Sequence, residues 1–437
     1  MSAQEAPLLL CRICSSWRTI ALSTPRLWSS IHIAVPHDKL PQHVHDGCLE
    51  LVKAWLARSG GLPLSISFYR HYPPGPSPFF DTIVSLSSRW KHISVLGQQI
   101  RLSRADVPML QSIEILDHTI GDEPADAHDV FCGDSIRSVS LGTNGNPIQL
   151  PLPWSQLTIL SLDRFQDPRT SFSQGWPLSS SMALNILAQC RNLHECAISL
   201  SSGVDDTVDV PSSVELPLLS SLVILVRAYY VFAPQQRDPL DRLRLPQLSS
   251  FALTGPRLDQ DSAGGFPFPT LLSTATKLKD FELDPLLLCT KEALLTFMKL
   301  LPPSVQRLVL RQNVRGSRGL TLIDNEFLHL LAPASHGQAA DKPLPGAGFL
   351  LPELIELNCT AGFSDKDLLY FIRARMRYQR LRRVRVQFYR PVEKDILPEL
   401  RSFIEEFGLD VLLEYNKHRD IWNPRDGLPK RSRTAQT

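Results

Sequence analysis

The chain is 437 residues long with 43% apolar and 21% charged residues, a composition that excludes an intrinsically disordered polymer and allows several domains or one long repeat array. Its 46 basic and 44 acidic side chains leave a formal charge of +2, so no global field favours a polyanionic partner. No apolar run has the flanks of a signal peptide or reaches the roughly 18 residues of a membrane span, and the sequence therefore predicts a cytoplasmic or nuclear protein without a membrane partner. Eight cysteines (Cys11, Cys14, Cys48, Cys132, Cys190, Cys196, Cys289 and Cys359) are scattered without disulfide-scaffold spacing and read as reduced core thiols. Prolines number 35 against 22 glycines, an excess that prolines placed at strand entries would explain.

From the N-terminus, residues 7–21 read as one amphipathic helix. Leu10, Cys14, Trp17 and Ala21 recur at three- and four-residue spacing, with Pro7 in the first turn and Arg12 and Arg18 off the stripe. Ser23-Thr24-Pro25 ends it, and residues 27–33 read as a turn followed by a strand. The string Leu8-Leu9-Leu10-Cys11-x-x-Cys14-x-x-Trp17-Arg18-x-Ile20-Ala21, then Thr24-Pro25-x-Leu27-Trp28, resembles the second half of an F-box. The likeness is to the F-box-like domains of fungal proteins that continue into irregular leucine-rich repeats, and it covers Ala6 to about Ile33. The family's opening helix, a Leu-Pro-x-Glu type start, has no counterpart from Met1 to Gln4. The resemblance implies that Leu8, Leu9, Leu10, Cys11, Cys14, Trp17, Arg18, Ile20, Pro25, Leu27 and Trp28 contact a Skp-type adaptor and, through it, a cullin complex.

Residues 49–58 follow as a helix closed by Gly60-Gly61, residues 63–68 as an alternating strand, residues 73–78 as a proline-rich loop and residues 81–89 as a short helix. A unit with apolar side chains at relative positions one, four and six then recurs. Its instances are Trp28/Ile31/Ile33, Trp90/Ile93/Val95, Leu110/Ile113/Ile115, Ile136/Val139/Leu141, Leu157/Leu160/Leu162 and Leu193/Cys196/Ile198. The series continues with Leu219/Leu222/Ile224, Leu248/Phe251/Leu253, Leu278/Phe281/Leu283, Val305/Leu308/Leu310, Leu354/Leu357/Cys359 and Leu381/Val384/Val386. Bare matches to such a template arise about fifteen times by chance. The weight rests on four rungs that open with an apolar-Pro pair (Val107-Pro108, Leu216-Pro217, Leu245-Pro246 and Leu351-Pro352) and on a spacing near the 20–29 residues of leucine-rich units. Segments 183–189, 271–276, 293–300, 325–331 and 364–375 between rungs read as short helices, residues 336–348 as an inserted loop, and residues 392–407 as a closing helix.

Within each rung the last two apolar residues share one strand face, and the residue between them points to the other. Ser94, Glu114, Ser140, Ser161, Val223, Glu282, Asn358 and Arg385 therefore line an expected concave face that takes an unknown target protein. Neither a phosphate-binding glycine loop nor a hydrolase elbow occurs; Cys11-x-x-Cys14 lies in an apolar helix without a second ligand pair; and the adjacent pairs Asp205-Asp206 and Glu405-Glu406 read as solvated surface. No cofactor is expected. The run Arg373, Arg375, Arg377, Arg380, Arg382, Arg383, Arg385 and Arg390 reads as a solvated face, although Arg385 on the displayed side keeps a phosphorylated ligand in view; Lys430-Arg431-Ser432-Arg433 reads as a soluble tail with a faint nuclear-import pattern.

The fold expected is α/β: an irregular leucine-rich-repeat-like solenoid over residues 46–415, with a curved, mainly parallel sheet and short helices on its convex side. A helical F-box-like segment (1–45) precedes it, and a polar tail (416–437) follows. By the resemblance, its function is substrate recognition for a cullin-based ubiquitin ligase, the chemistry belonging to other subunits. The other readings are a free-standing repeat scaffold and an enzyme with a site assembled from distant residues.

Overall fold

The computed structural model describes residues 6–70, 75–119, 125–144, 147–162, 178–202, 210–226, 238–255, 268–288, 290–311, 322–332, 350–378 and 381–415. The expected loop at 336–348, the tail and the pair Asp205-Asp206 lie outside them. The chain divides into two compact units, Met1–Leu278 and Lys279–Thr437.

The first unit opens with helices α1 (Leu10–Ile13) and α2 (Ser15–Leu22) and a 3-10 turn over Pro25–Trp28. The single helix expected over residues 7–21 is broken at Cys14, whose φ of −157° and ψ of 173° are extended. No α-helix contains that conformation, and Ser15 and Ser16 directly after it favour helix starts over interiors. Strand β1 (Ser30–Ala34) follows, then α3 (Gln42–Arg58), β2 (Leu64–Tyr69), α4 (Pro78–Val84) and β3 (Trp90–Leu96). α3 starts well ahead of residue 49 because its first turns are polar and exposed, so they carry no apolar period. The expected helix 81–89 is instead α4, started by Pro78, and a separate 3-10 turn, Ser87–Arg89. Next come β4 (Ser112–Thr119), β5 (Ser138–Asn144), β6 (Ile159–Leu162), β7 (Leu178–Ser179), α5 (Ser180–Gln189), β8 (Glu195–Ser202), β9 (Val214–Glu215), β10 (Ser221–Val226), β11 (Leu243–Arg244), β12 (Ser250–Thr254) and α6 (Pro269–Thr274). The main sheet runs β1-β2-β3-β4-β5-β6-β8-β10-β12 and is parallel throughout. β9 and β11 form a separate parallel pair.

The second unit contains β13 (Asp280–Leu283), α7 (Lys291–Met298), β14 (Arg307–Leu310), α8 (Asn325–Leu331), β15 (Glu356–Ala361), α9 (Asp365–Tyr378), β16 (Arg383–Phe388), α10 (Leu397–Phe407) and β17 (Asp410–Tyr415). Its strands also pair in parallel and in chain order. The closing helix starts at Leu397 rather than residue 392, because the backbone N–H groups of Glu393 and Lys394 both donate to the Asp365 carboxylate at 2.9 Å. Strand β17, absent from the sequence expectation, follows it. Both units thus show the α/β, solenoid-like order expected: parallel strands added one at a time, alternating with short helices or turns.

One backbone device builds the rungs. The N–H of Leu110, Ile136, Leu157, Leu193, Leu219, Leu248, Val305 and Leu354 donates to the carbonyl three residues earlier, at 3.1–3.3 Å. In the rungs at Leu110, Leu219, Leu248 and Leu354 the second turn residue is Pro108, Pro217, Pro246 or Pro352, and in that at Val305 it is Pro303; proline supplies the fixed φ that this position requires. The chain then clamps onto the preceding strand. The Arg137 carbonyl accepts from both Thr158 and Ile159, that of His194 from Ser220 and Ser221, and that of Gln306 from Ile355 and Glu356, all at 2.7–3.2 Å. Side chains at positions four and six fall on the buried face: Leu222, Ile224, Leu253, Leu308 and Val384 are all 0% exposed. Each such aliphatic side chain contributes about 1.5–3 kcal/mol.

Candidate functional site

Strand register turns the expected display positions into continuous rows. In the first unit His32, Ser67, Ser94, Glu114, Ser140, Ser161, Ala197, Val223 and Ala252 are successive cross-strand partners. In the second, Glu282, Val309, Asn358, Arg385 and Leu412 follow one another. Of the eight residues expected on display, Ser94, Glu114, Ser140, Ser161 and Val223 stand in the first row and Glu282, Asn358 and Arg385 in the second. His32, Ser67, Ala197, Ala252, Val309 and Leu412 were missed, although counting two residues on from each strand start would have found most of them.

The first-unit row is floored by small side chains. A second row, Ser30, Ser65, His92, Ser112, Ser138, Ile159, Glu195, Ser221 and Ser250, runs beside it. At the β1–β4 end the two rows line a trough of about 270 Å³ that includes His32, His92 and Glu114. His32 Nδ1 lies 3.0 Å from Ser67 Oγ. Burial and the neighbouring Lys91 hold the His92 imidazole below its ordinary value, which favours its neutral form.

The second unit carries charges instead. Arg307, Glu356, Arg383 and Asp410 alternate in sign along one row. They are linked at 3.5 Å (Arg307–Glu356), 3.2 Å (Glu356–Arg383) and 3.0 Å (Arg383–Asp410). Beside this ladder a trough of about 390 Å³ is lined by Arg311, Asn358, Thr360, Arg385, Gln387 and Glu414.

The arginine run is dispersed by the fold. Arg373 pairs with Glu399 at 2.7 Å, Arg383 belongs to the ladder, and Arg390 meets Asp365. Arg375, expected on a solvated face, is 0% exposed; it donates to the carbonyls of Leu331, Leu351 and Leu350 at 2.7, 2.8 and 2.7 Å. Its three nitrogens each serve a different carbonyl, as the planar guanidinium fork allows, and burial pulls it down to about 10, still charged at neutral pH. Arg380 lies outside the described residues.

Of the residues implied by the F-box resemblance, Leu9, Cys14, Trp17, Arg18, Ile20 and Pro25 are exposed, while Leu8, Leu10, Cys11 and Leu27 are half-buried. Trp28 is 0% exposed. It opens the first rung, donates its indole N–H to the Ala21 carbonyl at 2.7 Å and meets Trp55 edge-on at 4.9 Å, so it serves the fold rather than the surface. Leu9, Ile13, Trp17, Ile20 and Leu22 are exposed by 42–58%. Ile13 and Leu22 escaped sequence reasoning, since both fall at positions that the F-box-like string leaves unspecified.

Among the described residues no cluster of three or more His, Cys, Asp or Glu side chains is arranged to hold a metal ion. Burial pushes the Cys190 and Cys359 thiols up to about 12, which makes them poor nucleophiles and ligands. No described helix is long and apolar enough to cross a membrane. No protein-family model matches the chain, and no curated protein matches it.

Proposed function

We propose that the chain is a protein-binding scaffold that offers its N-terminal helices to a Skp-type adaptor and its displayed sheet face to a target protein. It would thereby act as a substrate-recognition subunit of a cullin-based ubiquitin ligase, with no catalysis of its own. One observation carries the reading: Leu9, Ile13, Trp17, Ile20 and Leu22, all 42–58% exposed, crowd the two short helices at one end of the first unit. Large apolar side chains left in water so close together in the chain favour an interaction site, and the Cys-x-x-Trp-Arg core among them resembles the F-box pattern. The rows of serines, alanines and isolated charges suit protein recognition, since small side chains let a partner's backbone approach the sheet.

The test is co-expression with a Skp-type adaptor followed by affinity capture. The wild-type chain should retain adaptor, and the double variant Trp17→Glu/Ile20→Glu should lose at least tenfold of it while melting at the wild-type temperature. No adaptor on the wild type, or equal capture by the variant, would remove the ligase role and leave a free-standing scaffold.

A further inference from the structure

We infer that the trough on the β14–β17 face of the second unit is a binding site for a single anionic group, a carboxylate or a phosphate. Three observations converge. First, the face is neutralised pair by pair along Arg307, Glu356, Arg383 and Asp410, which leaves those four groups no net demand for a counter-charge. Second, the trough beside them, about 390 Å³, holds two guanidiniums, Arg311 and Arg385, against one carboxylate, Glu414. Arg385 reaches Asp410 only at 3.7 Å, and that carboxylate is already held by Arg383 at 3.0 Å. Arg311 forms no ion pair among the described residues.

Third, the geometry brings neutral donors to the same place. Leu310 pairs with Cys359 and Thr360 with Gln387, so Arg311, directly after Leu310, stands beside Thr360 with Gln387 one strand further on. Arg311 and Arg385 are two strands apart and two residues apart along the strands, roughly 12 Å between backbones, a span that two long guanidinium side chains close around one anion. The amides of Asn358 and Gln387 lie between and beside them as further donors. The Thr360 hydroxyl is engaged with Tyr389 and shapes the floor. Two forked donors with adjacent amides match the several lone pairs of a phosphate or carboxylate, whereas a cation would meet only Glu414.

The site is independent of the adaptor reading, because none of its residues belongs to the N-terminal helices and capture of adaptor does not involve them. The experiment titrates the full chain with inorganic phosphate against chloride at matched ionic strength, following the melting temperature and the binding isotherm. Phosphate should stabilise the wild type saturably. Arg311→Gln/Arg385→Gln should weaken binding at least tenfold, Arg385→Lys should lie between, and Arg401→Gln, on an exposed helix outside the trough, should bind as wild type. A pentapeptide carrying phosphoserine between alanines, beside its serine and glutamate counterparts, identifies the source of the group. Arginine-dependent binding tighter than that of free phosphate assigns the site to a polypeptide side chain, and equal binding assigns it to a free anion. The inference falls if wild type and double variant respond alike to phosphate and to all three peptides. All three variants replace exposed side chains, and a melting temperature equal to wild type without phosphate checks that they fold.

Discussion

Arg390 grips Asp365 with both terminal nitrogens, at 2.8 and 3.3 Å, although the Asp365 side chain is wholly buried. The carboxylate also accepts from the Tyr415 hydroxyl and from the Glu393 and Lys394 N–H groups, each at 2.9 Å. It ties the start of α9 to the ends of β16 and β17 and to the turn before α10. Arg390 in turn lies 4.4 Å over the Phe388 ring, which stacks on Tyr415 at 4.7 Å.

Replacing Asp365 by Asn should therefore cost about 3–5 kcal/mol, the usual penalty for removing one member of a buried pair. Burial pushes the Asp365 carboxyl up, but the Arg390 guanidinium, the Lys394 N–H, the Tyr415 hydroxyl and the Glu393 N–H together hold it below its ordinary value. A depressed folded-state value means the stabilisation is complete above the unfolded value, about 3.9, and is lost as pH falls through the folded one. Thermal melts should show the gap between wild type and Asp365→Asn shrinking below about pH 4. A gap of constant size from pH 7 to pH 3 would refute the assignment.

Arg375 joins the end of α8, at Leu331, to Leu350 and Leu351 ahead of β15. Arg375→Met should destabilise by about 3 kcal/mol, because the carbonyls of Leu331 and Leu350 lose the guanidinium donor and that of Leu351 loses one of its two donors. Arg375→Lys should recover only part of this, since one ammonium cannot span the fork. Urea unfolding of the three proteins checks the order, and a lysine variant as stable as wild type would show that the fork is not needed.

The rungs were legible because their signal is local: a turn, often with proline at its second position, then alternating side chains on one strand. Leu219, Leu222 and Ile224 announce both their burial and the display of Val223. Strand β17 was not legible for a physical reason. Register sets Val411 and Leu413 beside Val384 and Val386, but the first position of that rung is Gly408, whose φ of +67° ends the helix before it, so the template finds no triplet. Arg375 failed differently. Its role arises from carbonyls 24 to 44 residues away, and a run of arginines carries no mark of which member the fold will bury. The second trough was half visible. Arg385 stood out by alternation, whereas Arg311, Thr360 and Gln387 belong to a row one step further along the strands, which the rung template does not number.

Trp90 repeats the role of Trp28, donating its indole N–H to the Ile83 carbonyl at 3.1 Å, again seven residues upstream. Both rings are 0% exposed and hold the end of the preceding helix to the first position of a rung. Trp28→Phe and Trp90→Phe should each cost about 2 kcal/mol, from the lost indole hydrogen bond and the space the smaller ring leaves in a fully buried site. Trp17→Phe, at a ring 49% exposed, should stay within about 0.5 kcal/mol of wild type. Equal melting temperatures for all three variants would contradict the shared role.

Gly97 follows β3 with φ of +75°, and a Cβ there would collide with the Arg70 carbonyl just past β2. Two penalties therefore act on Gly97→Ala: about 1 kcal/mol for the left-handed backbone, and a clash with a main-chain atom that cannot rotate away. The Arg70 N–H donates to the Leu96 carbonyl at 3.1 Å, so relieving the clash would pull apart the last bond between neighbouring strands. A Cβ on Gly255, just past β12, would likewise collide with the carbonyl of Val226, the last residue of β10, which makes a glycine just past the strand a condition for close stacking at both places. Gly61 is the control, because a Cβ on it meets nothing within 4 Å and its φ is not positive. Gly97→Ala and Gly255→Ala should each lose at least about 2 kcal/mol, read from thermal melts and from faster amide exchange at Arg70 or at the corresponding strand end. Gly61→Ala should leave both readings unchanged. If Gly97→Ala matched Gly61→Ala, the backbone contact after β2 would have to be looser than the strand register requires.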